Sequence, residues 1–93
     1  MNLSFADRET ERVAAGIRSR KLPPDIQDRA FRLLREMARV DDWRELRFPP
    51  GNQLHALAGD REGQYAIRIN RQWRIAFVPA DGSLEHVEIT DYH

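Results

Sequence analysis

The apolar residues of this chain change their period half-way along it, and that change limits the folds open to it. Ile26, Ala30, Leu33, Leu34, Met37 and Ala38 recur at intervals of three and four, the spacing of a helix that buries one face. Arg29, Arg32, Arg35 and Arg39 fall mostly on the other face. Further on the pattern alternates. Tyr65, Ile67 and Ile69 share one side against Arg68, and Trp73, Ile75 and Phe77 oppose Arg74, as in half-buried strands. Asn70-Arg71-Gln72 is a turn between them, so the pair reads as a β-hairpin that sets Arg68 and Arg74 side by side outside the core.

The remaining elements follow from local signals. Leu3-Ser4-Phe5 looks like a short opening strand, and Asp7 can cap a first helix whose apolar positions are Val13, Ala14 and Ile17. Ser19-Arg20-Lys21-Leu22 breaks that helix, and Pro23-Pro24 opens the second, proline being tolerated in a first turn. Phe48-Pro49-Pro50-Gly51-Asn52 has the chemistry of a loop after Trp43 and Leu46, and Gly59-Asp60-Arg61-Glu62-Gly63 that of a turn. Gln53 to Leu57 and Glu85 to Ile89 alternate as strands, with Ala80-Asp81-Gly82-Ser83 turning into the last one. The order is strand, two helices, four strands. The fold class expected is α+β, with two N-terminal helices packed on one face of a twisted, mostly antiparallel sheet. The other face is the candidate working surface, expected to present His55, Arg68, Arg74 and the terminal Asp91, Tyr92 and His93.

Ninety-three residues make one domain, 1–93, with one modest core. The absence of cysteine excludes disulfides, zinc–thiolate sites and thiol nucleophiles. Three histidines without close ligand spacing give no metal site, and nothing calls for a cofactor. No apolar run approaches the roughly 20 residues that span a bilayer, and the N-terminus lacks a secretory pattern. A cytoplasmic protein without membrane contact is expected. Net charge is zero but uneven: residues 1–40 and 61–75 each carry an excess of three positive charges, whereas the segment from 76 onward has four acids and no Lys or Arg. Fourteen of the 15 basic residues are Arg, the side chain suited to bidentate phosphate contacts. A GC-rich genome would give the same bias.

Asp91-Tyr92-His93 follow the last strand directly. A carboxylate, a phenol and an imidazole can accept, donate and relay protons, and a tyrosine can stack on a base. A solvated polar tail is the alternative reading of such a chain end. Tyr65, Trp73 and Phe77 are expected in the core, and His86 on ordinary surface.

Longer stretches carry a family likeness. Pro49-Pro50-Gly51-Asn52-Gln53-Leu54, the block from Leu57 to Asn70, Gln72-Trp73-Arg74 and Val87-Glu88-Ile89-Thr90-Asp91-Tyr92-His93 resemble the HigB-type toxins of the RelE/ParE toxin–antitoxin superfamily. Ser4-Phe5 and Ser19-Arg20-Lys21-Leu22-Pro23 fit as well, so the resemblance spans essentially the whole chain. It implies a microbial-RNase type of fold and a ribosome-dependent endoribonuclease that cuts mRNA in the A site and so inhibits translation. It also implies a HigA-type helix-turn-helix antitoxin as partner, with operator DNA met only through that antitoxin. The family's catalytic positions would fall on His55, Arg74, Asp91, Tyr92 and His93, and phosphate ligands on Arg61, Arg68 and Arg74. His93 would be one proton-transfer group and His55 the other, with the α-carboxylate beside His93 favouring its imidazolium form. In several relatives a Lys precedes Gly-Asp-Arg; here Ala58 stands there, so Arg61 or Arg68 would take over, or the toxin would be weaker. The competing functions are a non-enzymatic ParE-like gyrase inhibitor and an inactive antitoxin-binding module.

Overall fold

The computed structural model describes residues 1–91. A strand β1 (Asn2–Phe5) leads into helices α1 (Arg8–Ala14) and α2 (Pro24–Arg39), and four strands follow: β2 (His55–Ala56), β3 (Tyr65–Arg68), β4 (Trp73–Ala80) and β5 (Ser83–Asp91). They form one sheet in the order β1-β5-β4-β3-β2. All neighbours are antiparallel except β1 and β5, so the expected α+β arrangement of two helices on a mostly antiparallel sheet is found.

The helix stripe packs as its spacing requires except at Ala38, in the last turn, which is exposed. Ile26, Ala30, Leu33, Leu34 and Met37 of α2 are buried against Ile67, Ile75, Phe77, Leu84, Val87 and Ile89 of the sheet. Arg32, Arg35 and Arg39 face solvent. The connection between the helices is tied by the buried side chain of Gln27, whose amide donates to the carbonyls of Ser19 and Leu22 and whose oxygen accepts from the Ser19 amide at 2.9 Å. These three bonds satisfy the Ser19 amide and the Ser19 and Leu22 carbonyls outside any helix or strand.

Two local expectations are corrected. Helix α1 stops at Ala14, and Gly16, at φ 81°, turns the chain away in a conformation that glycine adopts without strain. Ile17 therefore lies beyond the helix and is 47% exposed. The strand expected from Gln53 to Leu57 is only two residues long. Before it, Trp43–Arg47 and Pro50–Asn52 form 3-10 turns. Asp42 caps the first of them, and the Arg44 amide, with its guanidinium, holds the Asp42 carboxyl below its ordinary range. Buried Asn52 donates to the carbonyls of Leu46 and Phe48, both at 3.1 Å. With Trp43 packed 4.4 Å from the ring of Tyr65, these contacts fix the approach to β2.

Strand β5 has one irregularity that matters. Ala76 pairs with Glu88 and Val78 with Glu85, so β5 carries one residue more than β4 over this stretch. His86, at φ 51°, lies within the resulting β-bulge. The bulge spaces the inward side chains Leu84, Val87 and Ile89 by three and then two, and all three stay buried.

Past Phe5 the edge of β5 loses its strand partner, and α1 supplies a substitute. The Ile89 amide donates to the hydroxyl of Thr10 at 3.0 Å, a buried bond between residues 79 apart in sequence. Thr10 is itself 0% exposed, and its own amide is held by the Asp7 cap at 2.7 Å. Thr10→Val keeps the shape and leaves a buried N–H unpaired, which costs about 1–3 kcal/mol. The urea midpoint should fall accordingly with an unchanged m-value, and Thr10→Ser should recover most of the loss. A Thr10→Val protein as stable as the parent would show that this bond does not hold α1 to the sheet.

Candidate active site

Helices cover one face of the sheet, and register decides what the other face carries. His55 lies opposite Ala66, Ala66 opposite Ala76, and Ala76 opposite Glu88. The next row is Arg68, Arg74 and Thr90. Directly paired residues point to the same side of a sheet, so His55, Arg68, Arg74, Glu88 and Thr90 share the face away from the helices. His55 and Arg68 are diagonal neighbours, about 7–8 Å apart at this kind of position. The structure thus brings together three of the residues singled out from the sequence.

The two arginines stand directly opposite one another. Like charges in that position destabilise a strand pair, and among the described residues no carboxylate forms an ion pair with either. Arg74 is held from behind: its Nη1 donates to the Asn70 carbonyl and, at 3.1 Å, to that of Trp73. The turn that offers these carbonyls is itself fixed, Asn70 Oδ1 accepting from the amides of Gln72 and Trp73 at 2.8 Å. A guanidinium has five N–H donors, so an Arg74 anchored through one nitrogen keeps donors for an anion lying between it and Arg68.

His55 is oriented in a comparable way. Its Nδ1 sits 2.8 Å from the Gln53 carbonyl. A carbonyl oxygen only accepts, so Nδ1 carries the proton in that contact.

The arginine of the Gly59–Arg61 turn is placed differently from what the sequence suggested. Arg61 reaches across the sheet, donating through Nη1 to Gln64 at 2.9 Å and Glu88 at 3.2 Å, and through Nη2 to Thr90 at 3.3 Å. Its path crosses the row in which Ala66 and Ala76 face each other, and both alanines are 0% exposed, in a cluster with Leu57. Small side chains there leave the trench in which Arg61 lies. Its charge is shared with Glu88. Ala58 is exposed at the start of this turn.

Asp91 departs from the expected cluster. It pairs with Trp73, one position out of step with Arg74 and Thr90, so its side chain leaves the sheet on the helix-covered side. There its carboxylate accepts from Gln72 Nε2 at 2.7 Å. Tyr92 and His93 lie outside the described residues. The sequence reading passed over Glu88, Gln64 and Thr90. Their signal was the alternation of Glu88 and Thr90 against buried Val87 and Ile89, together with two alanines amid bulkier strand residues.

The family model for the HigB-like toxin, described as the RelE-like toxin of the type II toxin–antitoxin system HigB, matches residues 3–93. The chain belongs to this family. It is 35% identical over 83 residues to Toxin HigB-1 of Vibrio cholerae serotype O1, a match covering 88% of this chain and 87% of the relative. A 41-residue stretch is 42% identical to Endoribonuclease HigB of Proteus vulgaris, covering 44% of this chain and 45% of that protein. Among solved structures, the YoeB dimer of Staphylococcus aureus superposes with a TM-score of 0.62 at 17% identity, covering all of this chain and 97% of the other. The YoeB/ParE toxin of Agrobacterium tumefaciens does so at 0.59 and 15%, with full coverage of both. At such identities the structural likeness speaks for the fold alone.

If the opposed arginines are kept for an anion, relieving them should not harm the fold. Arg68→Gln should leave stability unchanged or raise it by about 0.2–1 kcal/mol, while weakening RNA binding and cleavage. A marked fall in the urea midpoint would instead make Arg68 a structural residue.

Proposed function

We propose that this HigB-family toxin is a metal-independent endoribonuclease that cuts mRNA in the A site of the translating ribosome and thereby inhibits translation. The observation that carries the reading is the pairing of Arg68 with Arg74 on the open face of the sheet, diagonal to an imidazole whose Nδ1 is already committed to a carbonyl. The Proteus vulgaris relative bears the name of an endoribonuclease, which supports the same chemistry here.

In this reading the scissile phosphate lies over Arg68 and Arg74. Their charge stabilises the phosphorane as it forms, in a geometry fixed beforehand by the Asn70 turn. The ribose 2′-hydroxyl attacks the neighbouring phosphorus, the bond to the 5′ oxygen breaks, and a 2′,3′-cyclic phosphate is left. One group takes the 2′ proton and another delivers a proton to the departing oxygen. His55 and His93 are the two groups, each transfer contributing about 10²–10⁴-fold. Tyr92 stacks on a base or bonds the phosphate. Asp91 orients or polarises an imidazole, or takes a proton itself. Arg61 supports the face from its place against Glu88. The partner is a HigA-type helix-turn-helix antitoxin, and operator DNA is met only through it. A protein that acts on translating ribosomes works in the cytoplasm.

Primer extension on a defined mRNA in a reconstituted translation reaction tests the proposal, with the parent protein beside His93→Ala. The parent should cut within the A-site codon only when ribosomes are present, and His93→Ala should lose at least about 100-fold. A growth-inhibiting parent that leaves the mRNA intact, with His93→Ala equally toxic, would overturn the nuclease in favour of a gyrase inhibitor.

A further inference from the structure

A carboxylate in the middle of an RNA-binding face is out of place on electrostatic grounds. Glu88 lies in the row beside Arg68, Arg74 and Thr90, on β5, next to β4 on the face assigned above to RNA. It is neither buried nor freely solvated: its side chain is 32% exposed and that of Arg61 is 28%. The pair is also an unusual one, since it spans residues 27 apart and draws an arginine from a turn beside β3 across to β5. Gln64 and Thr90 hold the same guanidinium. Ala66 and Ala76 lie beneath the path it takes. Five side chains therefore cooperate to keep one arginine lying flat.

We propose that Glu88 is a positioning residue of the cleavage face: by holding Arg61 in the alanine trench it keeps that cation out of the phosphate-binding set and leaves the backbone of the RNA to Arg68 and Arg74. The inference rests on the RNase reading above. Its physical basis is that an interaction equally strong in the ground state and the transition state lowers KM without speeding the chemical step. A third arginine free to grip any nearby phosphate would hold substrate and product alike, and would let the RNA settle out of register with His55. Glu88 converts that cation into a fixed part of the surface. It also offsets one positive charge on this face, in keeping with the zero net charge of the whole chain.

The salt dependence of RNA binding separates this role from a merely structural one. For single strands each phosphate contact adds about 0.7 to the slope of log affinity against log salt. The probe is an RNA oligonucleotide carrying 2′-O-methyl groups throughout, which has no nucleophilic 2′-hydroxyl. Its binding is measured between about 50 and 200 mM salt to the parent, Glu88→Ala, Arg61→Ala and the double variant. Glu88→Ala should bind more tightly and with a slope steeper by about 0.7, which is a two- to threefold larger loss of affinity over that fourfold salt range. Arg61→Ala should keep the parent slope, and the double variant should return to it. Glu88→Gln, isosteric with the parent, guards against loss of folding and should shift the slope in the same direction.

An unchanged slope in folded Glu88→Ala and Glu88→Gln would overturn the proposal. So would a gain that persists in the double variant, because the effect would then be simple removal of an acid rather than release of Arg61. If the parent itself binds the oligonucleotide without any salt dependence, the RNA-face reading fails, and this inference fails with it.

Discussion

The active face of this protein depends on the register in which β4 lies between β3 and β5. A slip of one residue in a strand turns every side chain to the other side of the sheet. Here that slip would bury Arg74 under α2 and put Ile75 and Phe77 into water. The hydrophobic contacts of Ile67, Ile75, Phe77 and Ile89 with α2 fix the register, and the arginines are carried to the outer face as a consequence. On β5 the same condition is met only because of the bulge at His86. It lets Leu84 and Val87 both point inward, and it brings Glu88 and Thr90 into line with Ala76 and Arg74. The core thus sets the geometry of the site, although no core side chain takes part in the chemistry.

That dependence explains how much could be read from the chain beforehand. The facing of Arg68 and Arg74 was legible because alternation is a local property, written in Tyr65 to Phe77. The two helices and their exposed arginines were legible for the same reason. What could not be read is what acts at a distance. Thr10 gives no hint that it will cap the free edge of β5 at Ile89, and Arg61 sits in a turn whose sequence does not disclose a partner 27 residues away. Ile17 keeps the helical spacing of Val13 and Ala14, yet Gly16 ends the helix before it. The short β2 was overestimated because Gln53 to Leu57 alternate, whereas Gln53 is at φ 49° and closes a 3-10 turn. The side on which Asp91 emerges needed the pairing with Trp73.

Charge is arranged on the same principle as packing. The chain is neutral, and a neutral protein gains little from long-range attraction to RNA. Its cations count by position instead. Arg68 and Arg74 are opposed without a carboxylate among the described residues, which stores a modest repulsion that an anion relieves. Arg61, one turn away, is neutralised by Glu88. Two groups of the candidate face are braced by the backbone. They are Arg74, held by the Asn70 turn, and His55, held by the Gln53 carbonyl.

The central claim is that RNA lies on the sheet face away from the helices. It is tested most directly by NMR titration of the protein with a cleavage-resistant 2′-O-methyl RNA, following backbone amides and arginine side chains. Shifts clustered at His55, Arg68, Arg74 and Thr90, with α2 unmoved, are the result this account predicts. Shifts confined to Arg32, Arg35 and Arg39 on the outer side of α2 would contradict it.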